Sequence, residues 1–405
     1  MSYTLHDQPD LYTPVYNPMR FVVESSNRDE DNFQYVVDVY TSGVSGYTRL
    51  LYPPEPAAGK AAPDIQGVME SQITFNLSDT TYGFQRCNDS IKTYEVKFGE
   101  QYGPSSGIVT YPNIVVTGTK YAWNGVFDPP VFRTFAYNGY TMGGSGVMLT
   151  NQPSTLYFTN TSTDHKWLYF INDTSGTAYF AKIKTYDVND ALLGTYQIEN
   201  ADQASSSYLM KMLTIDVGSN GLNNATLYTG AQPVITASVE KYTVEFTNFA
   251  GTTTSTVYTY QKECQWKGLD PVSLVFLNRK GGFDAFNFRL VRRLKSRFQR
   301  ERMQRNLGAI SGNSWTYATV DRGTVTYNTE ITDSIVVESD WINGSTSTWL
   351  QELVESPEVY RHDGSQLIPV DVTVNEYEIK SIVNEKLFNL SLTVDYANKR
   401  WTQRG

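Results

Sequence analysis

Cysteine and histidine are scarce in this chain, and their placement excludes most metal and redox chemistry. Cys87 and Cys264 stand 177 positions apart. That spacing makes no metal-ligand cluster and no disulfide framework, so two unpaired thiols are the expectation, with one long-range bridge the alternative. His6, His165 and His362 share no HExxH or HxH spacing. They are expected as satisfied surface side chains, with no metal and no cofactor. Gly143-Gly144-Ser145-Gly146 lacks both the Lys-Ser/Thr ending of a phosphate loop and the full frame of a nucleophile elbow, and reads as flexible loop. Asp29-Glu30-Asp31 fits no calcium-loop spacing and reads as a solvated turn. No paired-carboxylate motif stands out. No catalytic residue is expected, and the chain is not expected to be an enzyme.

Long apolar runs are absent as well. Nothing approaches the ~18 apolar residues of a membrane-spanning helix, and the opening Met-Ser-Tyr-Thr-Leu-His-Asp-Gln-Pro-Asp-Leu-Tyr has no basic region followed by an apolar one. A soluble protein without membrane insertion is expected. Basic charge is in deficit, with a net charge of −9, which argues against nucleic acid as the partner of the whole chain. No segment repeats at a fixed period, which speaks against a fibre shaft.

What is abundant is tyrosine, with 29 copies among 405 residues. Tyr and Thr suit half-buried pleated surfaces, and Tyr also suits contact surfaces. The fold class expected is mainly β: two antiparallel β-sandwich domains followed by a small α+β C-terminal domain. The first domain, 1–104, has strand candidates at Phe33–Tyr40, Gln72–Asn76 and Thr93–Phe98, with a proline-rich loop at Pro53–Gly59. Residues 105–140 are rich in Gly, Pro and Tyr and read as a linker or long contact loop. The second sandwich, 141–263, has candidates at Lys166–Ile171, Ala178–Tyr186, Thr195–Ile198, Met210–Val217, Val234–Phe246 and Thr254–Gln261.

The block 264–405 reads differently. Two short strands flank Lys280-Gly281-Gly282. The segment 289–305 then concentrates Arg289, Arg292, Arg293, Lys295, Arg297, Arg300, Arg302 and Arg305 against Glu301 alone. Leu290, Leu294 and Phe298 recur every four residues, so a helix here would carry an apolar stripe on a basic body. Such a segment serves as an assembly arm against acidic neighbours or as a contact to DNA phosphates, and the acidic remainder of the chain favours the arm. Thr348–Gln351 reads as a capping box opening a short helix that Pro357 stops. Its apolar face, Trp349, Leu350 and Leu353, is assigned with Tyr360 to an assembly interface. Leu387–Tyr396 alternates cleanly and is the clearest strand.

Several strings carry a resemblance. Pro14–Pro18 with Phe21-Val-Val and Asn32–Val39, Trp167–Asn172 with Ile183–Asp187, and Phe276–Asp284 together resemble virion structural proteins of tailed bacteriophages infecting Bacteroidota, including the crAss-like group. The closing strings Trp349–Leu353, Ser356–Tyr360, Leu367–Val370 and Tyr396–Gly405 are similar to the same proteins. The resemblance implies a virion component made in the host cytoplasm: a tail, head–tail connector or baseplate subunit forming a homo-oligomeric ring. Its partners would be other virion proteins and packaged DNA. Assembly in a reducing compartment implies free thiols. The alternative is a receptor- or carbohydrate-binding tail-fibre or tip adhesin.

Overall fold

The computed structural model describes residues 3–77, 80–159, 164–174, 176–200, 211–263, 271–364, 366–373 and 389–402. The chain is mainly β, 46% strand and 9% helix, arranged in several sheets. It divides into two compact units, Met1–Glu263 with Leu277–Asp284, and Cys264–Phe276 with Ala285–Gly405.

In the first unit a six-stranded sheet runs Tyr12–Pro14, Lys120–Trp123, Ile91–Tyr102, Gln34–Thr41, Thr48–Tyr52, with Val109–Val116 also paired to Ile91–Tyr102. Tyr35, Val37 and Val39 alternate onto the same core as Tyr94, Val96 and Phe98, closed over by Phe21, Met19 and Met69. The stretch 105–140 therefore does not run as a linker. Val109–Val116 and Lys120–Trp123 are ladder strands of this sheet. Pro112 hid the first of them. It is tolerated because the strand lies at an edge, and because Gly99 opposite has no side chain: a Cβ there would come within 2.9 Å of the Pro112 Cα. Gln72–Asn76 is not a strand either. The Asn76 side chain instead accepts from Asp89 N at 2.8 Å and holds the segment as a loop.

A five-stranded sheet runs Thr155–Phe158, Tyr258–Lys262, Lys241–Thr247, Phe180–Tyr186, Leu192–Glu199. The strand expected over 234–246 begins only at Lys241. A three-stranded sheet joins Trp167–Asn172, Lys211–Asp216 and Phe84–Arg86. That last pairing ties the expected first domain to the second: Phe84 also meets Phe170 at 6.2 Å and Phe246 at 5.8 Å. Residues 1–104 and 141–263 thus share a sheet and an aromatic core. The turn at Lys280–Gly282 forms as expected, and Gly281 is required there. Its φ is +91°, and a Cβ would fall 1.6 Å from the Asn124 carbonyl oxygen. Met142–Ser145 closes into one helical turn ending at Gly146, where a flexible loop was expected.

His165 corrects the expectation of surface histidines, being 2% exposed. Asn224 Nδ2 donates to Asn220 Oδ1, which turns the Asn220 amide nitrogen toward His165 Nε2 at 2.9 Å. That nitrogen of the ring therefore accepts, and Nδ1–H donates to Asp216 at 2.5 Å. Asp216 also takes the N–H groups of Lys166 and Gly218. Both ring nitrogens of His165 and the Asp216 carboxylate thus find partners, which is a structural role. His362 is buried too, and His6 pairs with Glu24 at 2.7 Å. Among the described residues no cluster of three or more His, Cys, Asp or Glu could hold a metal ion. Cys87 is a buried free thiol whose ionisation is pushed up by burial. Cys264, and with it the pairing question, lies outside the described residues.

The second unit is built on a sheet in the order Phe283–Phe288, Val272–Leu277, Val359–His362, Leu367–Val372, Ser391–Tyr396, Thr324–Glu338, Val291–Gln304, with Arg400–Trp401 also on Thr324–Glu338. One helix, Gly344–Glu355, packs on it. Its cap is Asn343, which accepts from Thr346 N at 2.8 Å, so the helix opens before the expected Thr348 box. It ends ahead of Pro357, as expected.

Candidate assembly interface

Trp349, Leu350 and Leu353 are 1%, 0% and 0% exposed. They cannot form an interface in the folded chain, because their helix turns this face inward. The Trp349 ring lies 5.7 Å from Phe276 and 6.0 Å from Phe286. Tyr360 is half-buried, and its hydroxyl donates to Glu358 at 2.9 Å. Burial, and then the hydrogen bond to Glu358, push its ionisation up to about 12. The assigned assembly face is core.

The exposed feature of this unit is the basic segment, and it is a strand. Val291–Gln304 pairs antiparallel with Thr324–Glu338 along its whole length. A four-residue repeat fits a strand as well as a helix, since positions i and i+4 share a face in both. The opposite strand decides between them. Leu294 sits across from Ile335 and Phe298 across from Ile331, so all four share a face. Ile335 and Ile331 are buried, yet Leu294 is 64% exposed and Phe298 51%. The core face of the sheet therefore continues past its cover.

Among the described residues the outgoing strand is the sheet's edge, and it is long, about 45 Å for fourteen residues. Ser391–Tyr396 supports the returning strand only at Ser334–Glu338, and Arg400–Trp401 only at Glu330 and Ile331. Among the described residues, 324–328 pair with the outgoing strand alone, so the hairpin runs on as a two-stranded ribbon. An extra residue, Tyr327, bulges where the pairing steps from Glu301/Asn328 to Arg302/Thr326.

The ribbon ends in a tip, 305–323, folded as a small hairpin of Ala309–Ser311 on Ser314–Thr316. Arg305 N donates to Gly323 O, and Trp315 Nε1 to Leu307 O at 2.8 Å, which holds the tip in shape. Ile310, Tyr317 and Val320 are 74%, 68% and 82% exposed. An isolated two-stranded ribbon is marginal in water, and an ordered apolar tip on it is what a partner surface would cover.

Arg292, Arg293, Lys295, Arg297, Arg300, Arg302 and Arg305 are all exposed, and none of them has an ion-pair partner among the described residues. Arg289 is half-buried and pairs with Asp340 at 2.6 Å. Alternation puts Arg293, Lys295 and Arg297 on one face of the ribbon. Cations along an edge strand also discourage indiscriminate strand pairing. The apolar tip is what sequence reasoning missed. Ile310, Trp315, Tyr317 and Val320 sit in a Gly- and Ser-punctuated stretch that shows no strong period.

No protein-family model matches the chain, and no curated protein sequence matches it.

Proposed function

We propose that this chain is a structural subunit of a tailed-phage virion, of the tail, head–tail connector or baseplate, and that it joins identical neighbours into a ring through the hairpin arm 289–338. The observation that carries the reading is the ribbon with an exposed apolar tip and a row of exposed cations that have no ion-pair partner among the described residues. The sequence strings resembling virion proteins supply the setting. A chain of net charge −9 with its cations gathered on one arm is suited to head-to-tail docking between copies.

Light scattering after size exclusion, with negative-stain imaging of the peak, tests the proposal. A closed ring of identical subunits is the expected result. A trimer would transfer the chain to the fibre or adhesin class, and a monomer at every concentration would remove self-assembly.

Electrostatics should be visible in the same assay. Replacing Arg293, Lys295 and Arg297 together by Glu is expected to weaken association most at low salt. The difference should shrink as the screening length falls from about 10 Å at 0.1 M to about 3 Å at 1 M. Equal association of both forms at low salt would exclude the charge contribution.

Contact with packaged DNA is a second use of the same cations, and it makes a separate prediction. Duplex affinity should fall steeply with salt, with a logarithmic slope of about −0.9 per phosphate neutralised. Unchanged duplex binding after neutralising 289–305 would remove it.

A further inference from the structure

A cavity of about 460 Å³ opens in the second unit, where the outgoing strand of the arm joins its sheet. Lys295, Arg361, Arg400, Asp333, Tyr396 and Ile368 line it. One acid, Asp333, faces Arg361 and Arg400 on this side of the sheet, and that acid is already engaged. Arg400 Nε reaches Asp333 Oδ2 at 2.6 Å and its Nη2 reaches Oδ1 at 3.1 Å, while the Ser296 hydroxyl donates to Oδ1. These bonds, Arg400 first and then Ser296, hold the Asp333 carboxyl below its ordinary range.

Arg361 is the unusual member. Its Nη1 donates to the Tyr396 hydroxyl, whose ring lies 5.8 Å from the guanidinium. Its Nε is buried without an acceptor, and no described carboxylate pairs with it. A half-buried guanidinium whose best acceptor is a neutral phenol keeps most of its charge available to an incoming anion. The Tyr396 O–H, having accepted from Arg361, still has a proton to give. Ile368 and Leu294 add an apolar wall. Such a wall fits the methylene stem of an acidic side chain better than a fully hydrated phosphate.

We infer that this cavity receives the carboxylate of an acidic side chain from a second copy of the chain. The inference rests on the assembly reading. A second copy is the occupant because Arg361 is left as surplus positive charge on a chain that is acidic overall, and because Leu294, which walls the cavity, belongs to the arm itself.

The test uses the full chain in two assays. The first titrates an acetylated Glu-Glu peptide amide, and separately inorganic phosphate, into chain kept dilute enough to be monomeric, by calorimetry at low salt. Peptide binding should weaken about tenfold or more in Arg361→Gln and by a smaller factor in Tyr396→Phe, which loses the hydroxyl donor. It should change less than twofold in Arg305→Gln, whose cation lies outside the cavity. Equal loss in all three variants, or phosphate binding in place of peptide, would overturn the carboxylate site. The second assay is ring formation, which Arg361→Gln and Tyr396→Phe should weaken and Arg305→Gln should leave more nearly intact. If the wild type never assembles, the assembly reading fails, and the peptide titration still decides whether the cavity takes a carboxylate. If it assembles and neither cavity variant weakens the ring, the cavity is not part of the interface.

Discussion

A chain in which residues 306–322 are replaced by Asn-Gly is expected to elute as a monomer while keeping its circular dichroism and the hydrogen-exchange protection of both units. The replacement is designed on the ladder. Arg305 N already donates to Gly323 O, so a two-residue turn can close the ribbon at that pair. What is lost is the tip alone, and none of its large apolar side chains contributes to a buried core: Ile310, Trp315, Tyr317 and Val320 are between 45% and 82% exposed. The cost to folding should therefore be small. Its cost to association should be large, since Trp and Tyr buried at the centre of an interface are commonly worth about 2 kcal/mol or more each. Two such anchors lost together amount to roughly a thousandfold in affinity. A shortened chain that still forms the wild-type oligomer would show that the arm is not the assembly element.

The parts of the fold that could be read from sequence are those with a local signal. Gln34–Thr41 and Phe180–Tyr186 combine β-branched and aromatic residues with a bounding turn, and both are strands. The Lys280–Gly282 turn was legible because only glycine tolerates its backbone there. Three features were not legible, each for a physical reason. Phe84–Arg86 pairs with a strand more than a hundred residues away, and nothing local announces such a partner. The four-residue spacing of Leu290, Leu294 and Phe298 satisfies helix and strand alike, and only the register with Ile331 and Ile335 separates them. The apolar face of the Gly344–Glu355 helix looks the same in sequence whether it turns toward the core or toward a neighbour.

That last ambiguity has a decisive test in Trp349→Ala. If Trp349 were an interface residue, its removal would spare stability and reduce assembly. The structure gives the opposite order of effects. Trp349 is 1% exposed between Phe276 and Phe286, with Leu350 and Leu353 buried beside it. Truncation leaves a cavity under the helix and should cost about 3–5 kcal/mol. Because the chain has two compact units, a single unfolding midpoint is a poor readout. Hydrogen exchange separates them: protection should fall in Val272–Phe276, Gly344–Glu355 and Val359–His362, and stay unchanged in Ile91–Tyr102. Leu350→Ala should follow the same pattern with a smaller loss, about 2–5 kcal/mol. Assembly should then decline only as far as the folded second unit declines, recovering when conditions restore protection. A Trp349→Ala chain with full protection and no ring would return this helix to the interface and displace the arm.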